Sequence, residues 1–464
     1  MLIGYQKWNG SFFELTTLKT LGLRIQLGHP PNEHCVNPQP VVHDDFTVID
    51  SNGVHSVALD FCACETAPGL VAQLLRKRLF PATAKSPRSA ATFRVLRQFQ
   101  ILSFESKVSA FEFYYTLSRM TDNIYTSSSD QYKSFLRMVR EWRHLKMLKR
   151  AGRGHDLEGV YATKEGECAV LCPACPQPGK NLPPGWKDVP KDKCWLYSLF
   201  VGIDANFKLK RKKVSSERVD PSLSHGWSYF VEEMKYKAFL GEHGKVPQEK
   251  STCSNYDAMT KANSRDARYL DSTGAGTVDC IRHDMKRPNG VGDLQKGERW
   301  AAAQLSFTKV LTTNIARYIN MDYIFFNTMR GNNTGYPRII ISYDIACQWG
   351  RRFWDRMAQF PCEYHIDYNS VSITFLVPKF HLPAHRPACH SSYSFNLTPC
   401  VGRTDGEAPE RGWSNTNALG SSTKEMGPGS RRDTLDDHFG DMNWKKVCNL
   451  GSVSVDSSSL KTYT

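Results

Sequence analysis

Carboxylates mark the three stretches of this chain whose residue types and spacing could do chemistry. In GIDANFKLKRK, Asp204 lies at the end of an apolar, β-prone run. In ISYDIACQW, Asp344 holds a similar place, and in TDGEAPERGWS, Glu407 and Glu410 stand one helical turn apart. Two strands and a helix delivering acids is what a two-metal phosphoryl-transfer site needs, because Mg²⁺ or Mn²⁺ takes oxygen ligands and keeps positions for water and phosphate. Read alone, Asp204 could equally cap the turn after its strand, and Asp344 could be the N-cap of a helix in YDIACQW. The basic run after Asp204 (Lys208, Lys210, Arg211, Lys212) and Arg411 beside Glu410 are candidates for phosphate contact. For the run, a nuclear import signal or a solvated turn is the alternative.

Behind these residues stands a chain of 464 residues, long enough for two to three domains. Its 60 Lys and Arg against 46 Asp and Glu leave a net charge of +14, which favours polyanionic partners, nucleic acid foremost, through counterion release. No apolar run reaches the ~18–20 residues of a membrane span, and the N-terminus lacks the layout of a secretory signal. The 14 cysteines therefore read as thiols or metal ligands rather than disulfides.

Four segments follow from the pattern. Residues 1–87 read as a small β-rich module, with a hairpin formed by the runs 46–49 and 54–61 around Asp-Ser-Asn-Gly. Its second strand runs into Cys62 and Cys64, and His29, His34 and Cys35 lie on the preceding loop; one zinc site or buried free cysteines would both fit. Residues 88–195 read as helical and then loop-rich. Phe135, Met138, Val139, Trp142 and Leu145 share a helix face, and arginines and lysines crowd the rest, suiting either a DNA backbone or a solvated surface. In the connector, Cys168, Cys172 and Cys175 form a zinc-knuckle pattern, with Cys194 a candidate fourth ligand. Residues 196–447 form an α/β core carrying the acidic residues, interrupted by a polar, Gly-rich insertion at about 241–320. Cys253, Cys280 and His283 in that insertion could share a zinc ion; His381, His385, Cys389 and Cys400 are another candidate set, against which Pro383 and Pro387 argue. Residues 448–464 are Ser-rich and read as a disordered tail.

With those residues in view, the chain resembles the KDZ (Kyakuja–Dileera–Zisupton) transposases expanded in mushroom-forming fungi. The resemblance rests on WNGSFFELTTLKTLGLRIQLGH, CPACPQPGKNLP, FVGIDANFKLKRK, STCSNYDA, GTVDCIRHDMKRPNGVGDLQKGER, YDIACQW and DGEAPERGWSN, and spans about residues 8 to 447. The N-terminal part is similar to the second type of CxC cysteine-cluster module associated with those transposases. The resemblance implies an RNase H-like mixed-sheet core with a D-D-E set of Mg²⁺ or Mn²⁺ ligands falling on Asp204, Asp344 and Glu407, with Glu410 able to substitute. It also implies structural Zn²⁺ held by Cys35, Cys62 and Cys64, DNA (transposon ends and target) as partner, and nuclear work; homo-oligomerisation is compatible with it. Three departures set further expectations. The paired cysteines usual ahead of WNG are missing, so the zinc site should lack half its ligands; residues 301–317 interrupt a join that is shorter in relatives; and the chain stops soon after GDMNWKKV. The leading expectation is two-metal DNA strand cleavage and transfer. The competing ones are a transposon-derived DNA-binding protein without activity and an RNA-directed nuclease of the same fold.

Overall fold

The computed structural model describes residues 6–30, 32–122, 130–190, 192–243, 253, 269–295, 318–330 and 335–459. The expected interruption at 301–317 lies outside the described residues. The chain divides into two compact units, Met1–Lys146 and Met147–Thr464. The helices placed in a separate 88–195 region thus fall with the N-terminal module up to Lys146, and the Cys-rich connector falls with the core.

The first unit holds a small hairpin, β1 (Gln6–Trp8) with β2 (Phe13–Leu15), and a larger sheet. That sheet comprises β3 (Arg24–Gln26), β4 (Pro38–Pro40), β5 (Phe46–Asp50), β6 (Gly53–Cys62), β7 (Leu79–Pro81) and β8 (Ser89–Thr92). Its strand order is β3-β6-β5-β8-β7, with β4 also pairing β6. The hairpin read from Asp-Ser-Asn-Gly forms as expected, Asp50 opposite Gly53 and Phe46 opposite Val57. Helices Phe93–Ser106 and Ala110–Thr121 bury Val95, Leu96, Phe99, Phe113 and Leu117 against Ile49 and Phe80, and Phe135, Met138 and Val139 of helix Tyr132–Arg150 complete that core. Their starts are fixed by side chains: Thr92 accepts from the Val95 amide, and Ser109 and Glu112 form a reciprocal capping box.

In the second unit, β9 (Leu199–Asn206) is central. Beyond it come the short pair β10 (Arg211–Lys212) and β11 (Leu270–Ser272), then β12 (Gly274–Cys280), β13 (Met285–Leu294), β14 (Arg338–Tyr343) and β15 (Ser372–Leu376). The main sheet runs β13-β12-β9-β14-β15. β12 is antiparallel to both β9 and β13, whereas β14 is parallel to β9 and β15. Apolar residues almost throughout LFVGI suit a strand buried on both faces. On one face, helix Ile319–Arg330 contributes Ile324, Phe325 and Phe326 to a core that includes Val201, Ile203 and Ile341. On the other, Trp413, Leu435 and Phe439, from helices Ala408–Thr416 and Pro428–Ser459, pack on Ala275 and Val291.

Two expectations are corrected. The Gly-rich stretch read as insertion supplies β12 and β13, two strands of the central sheet. Glycine there admits the helix rather than loosening the chain: a Cβ on Gly276 would meet Met321 Sδ at 2.6 Å, and one on Gly292 would meet Ile324 Cδ1 at 2.8 Å. At the C-terminus, helix Pro428–Ser459 continues into the Ser-rich stretch read as a disordered tail; a helix already anchored by buried Leu435 and Phe439 needs only propagation, not a new nucleus. Among the described residues no helix is long and apolar enough to cross a membrane.

Candidate active site

The register of β9 and β14 sets the two aspartates side by side. Ile203 pairs with Tyr343, so the next residue on each parallel strand is an aspartate, Asp204 and Asp344, about 4.8 Å apart in the hydrogen-bonding direction. Helix Ala408–Thr416 comes close to this end of the two strands for two reasons. Gly202 leaves room for Pro409, which a Cβ would approach to 3.2 Å, besides meeting Ile281 Cγ2 at 2.3 Å. Gly406, at φ +88°, turns the chain into the helix where a Cβ would strike Ser342 Oγ at 2.4 Å. Glu407 is consequently the N-cap residue and Glu410 lies in the first turn.

Electrostatics bind these acids into one cluster. Asp204 is pushed up to about 8 by burial and by the nearby charges of Asp344 and Glu410, and it accepts a 2.5 Å hydrogen bond from Trp413 Nε1. His381 reaches in from the chain after β15: its Nδ1 is 3.6 Å from Asp344 Oδ2, and its Nε2 is 3.5 Å from Glu410 Oε1 and 3.9 Å from Glu407 Oε2. Its hydrogen bond to Glu410 first, then the neighbouring carboxylates, raise it to about 9. Glu407 spends Oε1 on the Phe380 amide at 2.8 Å, whereas Glu410 Oε2 is buried with no hydrogen-bond partner among the described residues. Asp344, His381 and Glu410 can each offer one ligand atom to a shared cation. Sequence reasoning had placed His381 in a zinc set instead.

The basic candidates separate. Lys208 and Lys210 are exposed near the end of β9, and Lys212 pairs with Glu425 at 2.6 Å. Arg211 is corrected: it is 2% exposed and ion-paired to Asp271, because alternation along β10 turns it inward between two outward lysines. Arg411 is held by Asp284 and Asp405, at 2.8 and 2.7 Å.

Three Cys/His clusters gather among the described residues, each with its ligand atoms within 4.8 Å of one another: His29, Cys35, Cys62, Cys64; Cys172, Cys175, Cys280, His283; and Cys253, Cys347, His385, Cys389. Tetrahedral zinc bound by thiolates sets sulfurs about 3.8 Å apart, and here Cys35 and Cys64 lie 3.7 Å apart. The expected half-empty first site is corrected: His29 Nε2, 3.3 Å from Cys62 Sγ, completes four. Hydrogen bonds from Cys62 and then His29 lower the Cys64 thiol to about 7, favouring the thiolate that binds metal. In the second, Cys172 and Cys175 meet the Cys280-x₂-His283 turn between β12 and β13, with Cys172 Sγ and His283 Nδ1 3.3 Å apart. Cys168 is corrected: it packs on Met147, Leu148 and Trp227, and burial pushes its thiol up to about 11. Cys347 was missed, although it stands three residues after Asp344.

Comparison with known proteins gives two family matches. A family model described as Kyakuja-Dileera-Zisupton transposase matches residues 197–443, and one described as CxC2 like cysteine cluster associated with KDZ transposases matches residues 18–125. No curated protein and no solved structure matches the chain. With over half its length under the first of these, and the cysteine cluster ahead of it, the chain belongs to the Kyakuja–Dileera–Zisupton transposase family.

Proposed function

We propose that this chain is a D-D-E transposase with an RNase H-like core that cleaves and transfers DNA strands, using Asp204, Asp344 and Glu410 as ligands for Mg²⁺ or Mn²⁺. The observation that carries the reading is the meeting of these carboxylates near the ends of two adjacent parallel strands and in the first turn of one helix. The strand order, three antiparallel strands followed by two parallel to the first, supports an RNase H-like assignment. The donor set fits hard divalent cations: all-oxygen carboxylates, one of them with a buried oxygen left without a donor. Two such cations, when bound, supply an activated water or 3′-hydroxyl and charge stabilisation at the leaving oxygen.

The chain's own groups do the rest. Trp413 orients the Asp204 carboxylate through its indole N–H. Glu407 differs from Glu410 in having one oxygen committed to the Phe380 amide, so it orients His381 and the segment that carries it rather than carrying the cation. The His381 imidazolium balances the acidic cluster and can pass a proton at Nε2. Exposed Lys208 and Lys210 contact DNA phosphates beside the site. His29, Cys35, Cys62 and Cys64, and the Cys172 cluster, hold structural zinc, and the work is nuclear.

The test is Mn²⁺-dependent nicking of supercoiled plasmid by the purified chain beside Asp344→Asn. Nicking by the parent alone supports the reading. With both proteins folded and DNA-bound, absence of nicking by either sinks it in favour of a DNA-binding protein without activity.

A further inference from the structure

The third cluster lies immediately behind the acidic residues and is drawn from three distant segments. Cys347 is on the short helix Ala346–Trp349, which begins two residues after Asp344. His385 follows His381 by four residues, and Cys389 is on helix Pro387–Ser392. Cys253 comes from far earlier in the chain. All four are buried. Cys253 Sγ lies 3.3 Å from Cys389 Sγ and 3.6 Å from His385 Nδ1, and Cys347 Sγ is 3.5 Å from that same nitrogen. These are unbonded sulfurs at the spacing of a tetrahedral ligand shell, and three thiols with one imidazole form a closed, soft donor set of the structural-zinc type. One neighbour gives the cluster a further meaning: the main chain of Asp344 faces the His385 ring. Nδ1 is turned to the sulfurs, which leaves the other ring nitrogen for the main chain.

We propose that Cys253, Cys347, His385 and Cys389 bind a structural zinc ion that fixes the main chain at Asp344, with His385 as the positioning residue between them. A ligating histidine characteristically spends its second nitrogen on a carbonyl or carboxylate, which locks ring and partner together. Here the partner is the backbone of a proposed catalytic ligand, and Cys347 holds the same turn three residues on. The zinc also clamps the Asp344 segment to the segment carrying His381. The importance of Asp344 rests on the D-D-E reading; the zinc site does not.

The experiment counts zinc in the full chain and in Cys253→Ser and Cys389→Ser by elemental analysis. It then follows amide hydrogen exchange over 340–349 and Mn²⁺ affinity by electron paramagnetic resonance. The expected result is about three zinc ions in the parent and about two in each variant. Exchange should be faster at 340–349, and Mn²⁺ binding should weaken about 10–100-fold. About two zinc ions in the parent, unchanged in the variants, overturns the site; lost zinc with unchanged exchange overturns its role at Asp344. If the variants fail to fold, cobalt(II) reconstitution of the parent decides, since thiolate charge-transfer intensity for about nine Co–S bonds supports the site and about six overturns it. A parent that binds no Mn²⁺ yet shows the zinc loss and faster exchange supports this site and refutes the D-D-E reading instead.

Discussion

Replacing Asp204 by asparagine should stabilise the metal-free protein while destroying its response to divalent cations. Its carboxyl titrates near 8 in the fold, against 3.8 for the ordinary group, because it is buried beside Asp344 and Glu410. At pH 7 the folded chain must therefore hold a proton that the unfolded chain has released. At about 1.4 kcal/mol per unit over roughly three units, that costs about 4 kcal/mol. Asp204 is partly exposed, so water reaching the cluster lowers the expected gain to about 2–4 kcal/mol; asparagine keeps an oxygen for the Trp413 indole. The sign with pH follows from a folded pKa above the unfolded one. Stability of the parent is greatest below about pH 4 for this group and is lost as pH rises towards 8, whereas the variant lacks that decline. The assay is urea denaturation of both proteins in EDTA at pH 5, 7 and 8.5, repeated with Mn²⁺. Saturating Mn²⁺ at about 100 times its Kd should stabilise the parent by about 2.7 kcal/mol and the variant far less. A variant less stable than the parent in EDTA, or one equally stabilised by Mn²⁺, refutes the clustering of carboxylates on which the site rests.

The other predictions concern the division of roles. Glu410→Gln should cut plasmid nicking at least about a hundredfold and Glu407→Gln about tenfold, read from initial rates, since of these two glutamates it is Glu410 that offers a buried oxygen without a hydrogen-bond donor among the described residues. Cys172→Ser should lose one zinc equivalent by elemental analysis, whereas Cys168→Ser should retain zinc content and lose about 1–2 kcal/mol in denaturation, its thiol being packed on Met147, Leu148 and Trp227. Arg211→Met should cost about 1–2 kcal/mol of stability and leave the salt dependence of DNA binding unchanged, because Arg211 is buried while its partner Asp271 stays half-exposed to water. Lys208→Ala and Lys210→Ala should each lower the slope of log affinity against log salt by about one without affecting the melting temperature.

What could be seen in the sequence were features whose signal is local. The apolar runs ending in Asp204 and Asp344 announce strands by composition alone, the 46–61 hairpin announces its turn, and the face of Phe135, Met138 and Val139 announces its helix. Partnerships across the chain left no local mark. Cys172-x₂-Cys175 looks like half a site to which Cys168 and Cys194 are the local complements, and only the fold brings Cys280 and His283 to it. β12 and β13 read as an insertion because glycine weakens every strand signal, yet those glycines serve a helix that begins some 25 residues after β13. The inward turn of Arg211 was hidden because two residues are too few to show a period of two. Cys347 passed unnoticed since a lone cysteine in an apolar segment reads as core, which it also is.

The second cysteine cluster bears on the order of events during synthesis. Cys175 and Cys280 end 3.0 Å apart although 105 residues separate them. A ribosome adding about 5–20 residues per second exposes the first pair of ligands about 5–20 s before the second. Closing a loop of that length confines the chain by about 4–5 kcal/mol, and cation binding can offset this only after the β12–β13 turn has formed. If this site holds zinc, as proposed, the ion would act as a checkpoint on assembly: the connector would dock when the sheet is ready to receive it, and not earlier. Zinc starvation would leave that half-assembled form, with Cys172 and Cys175 open to oxidation, as the state the cell accumulates.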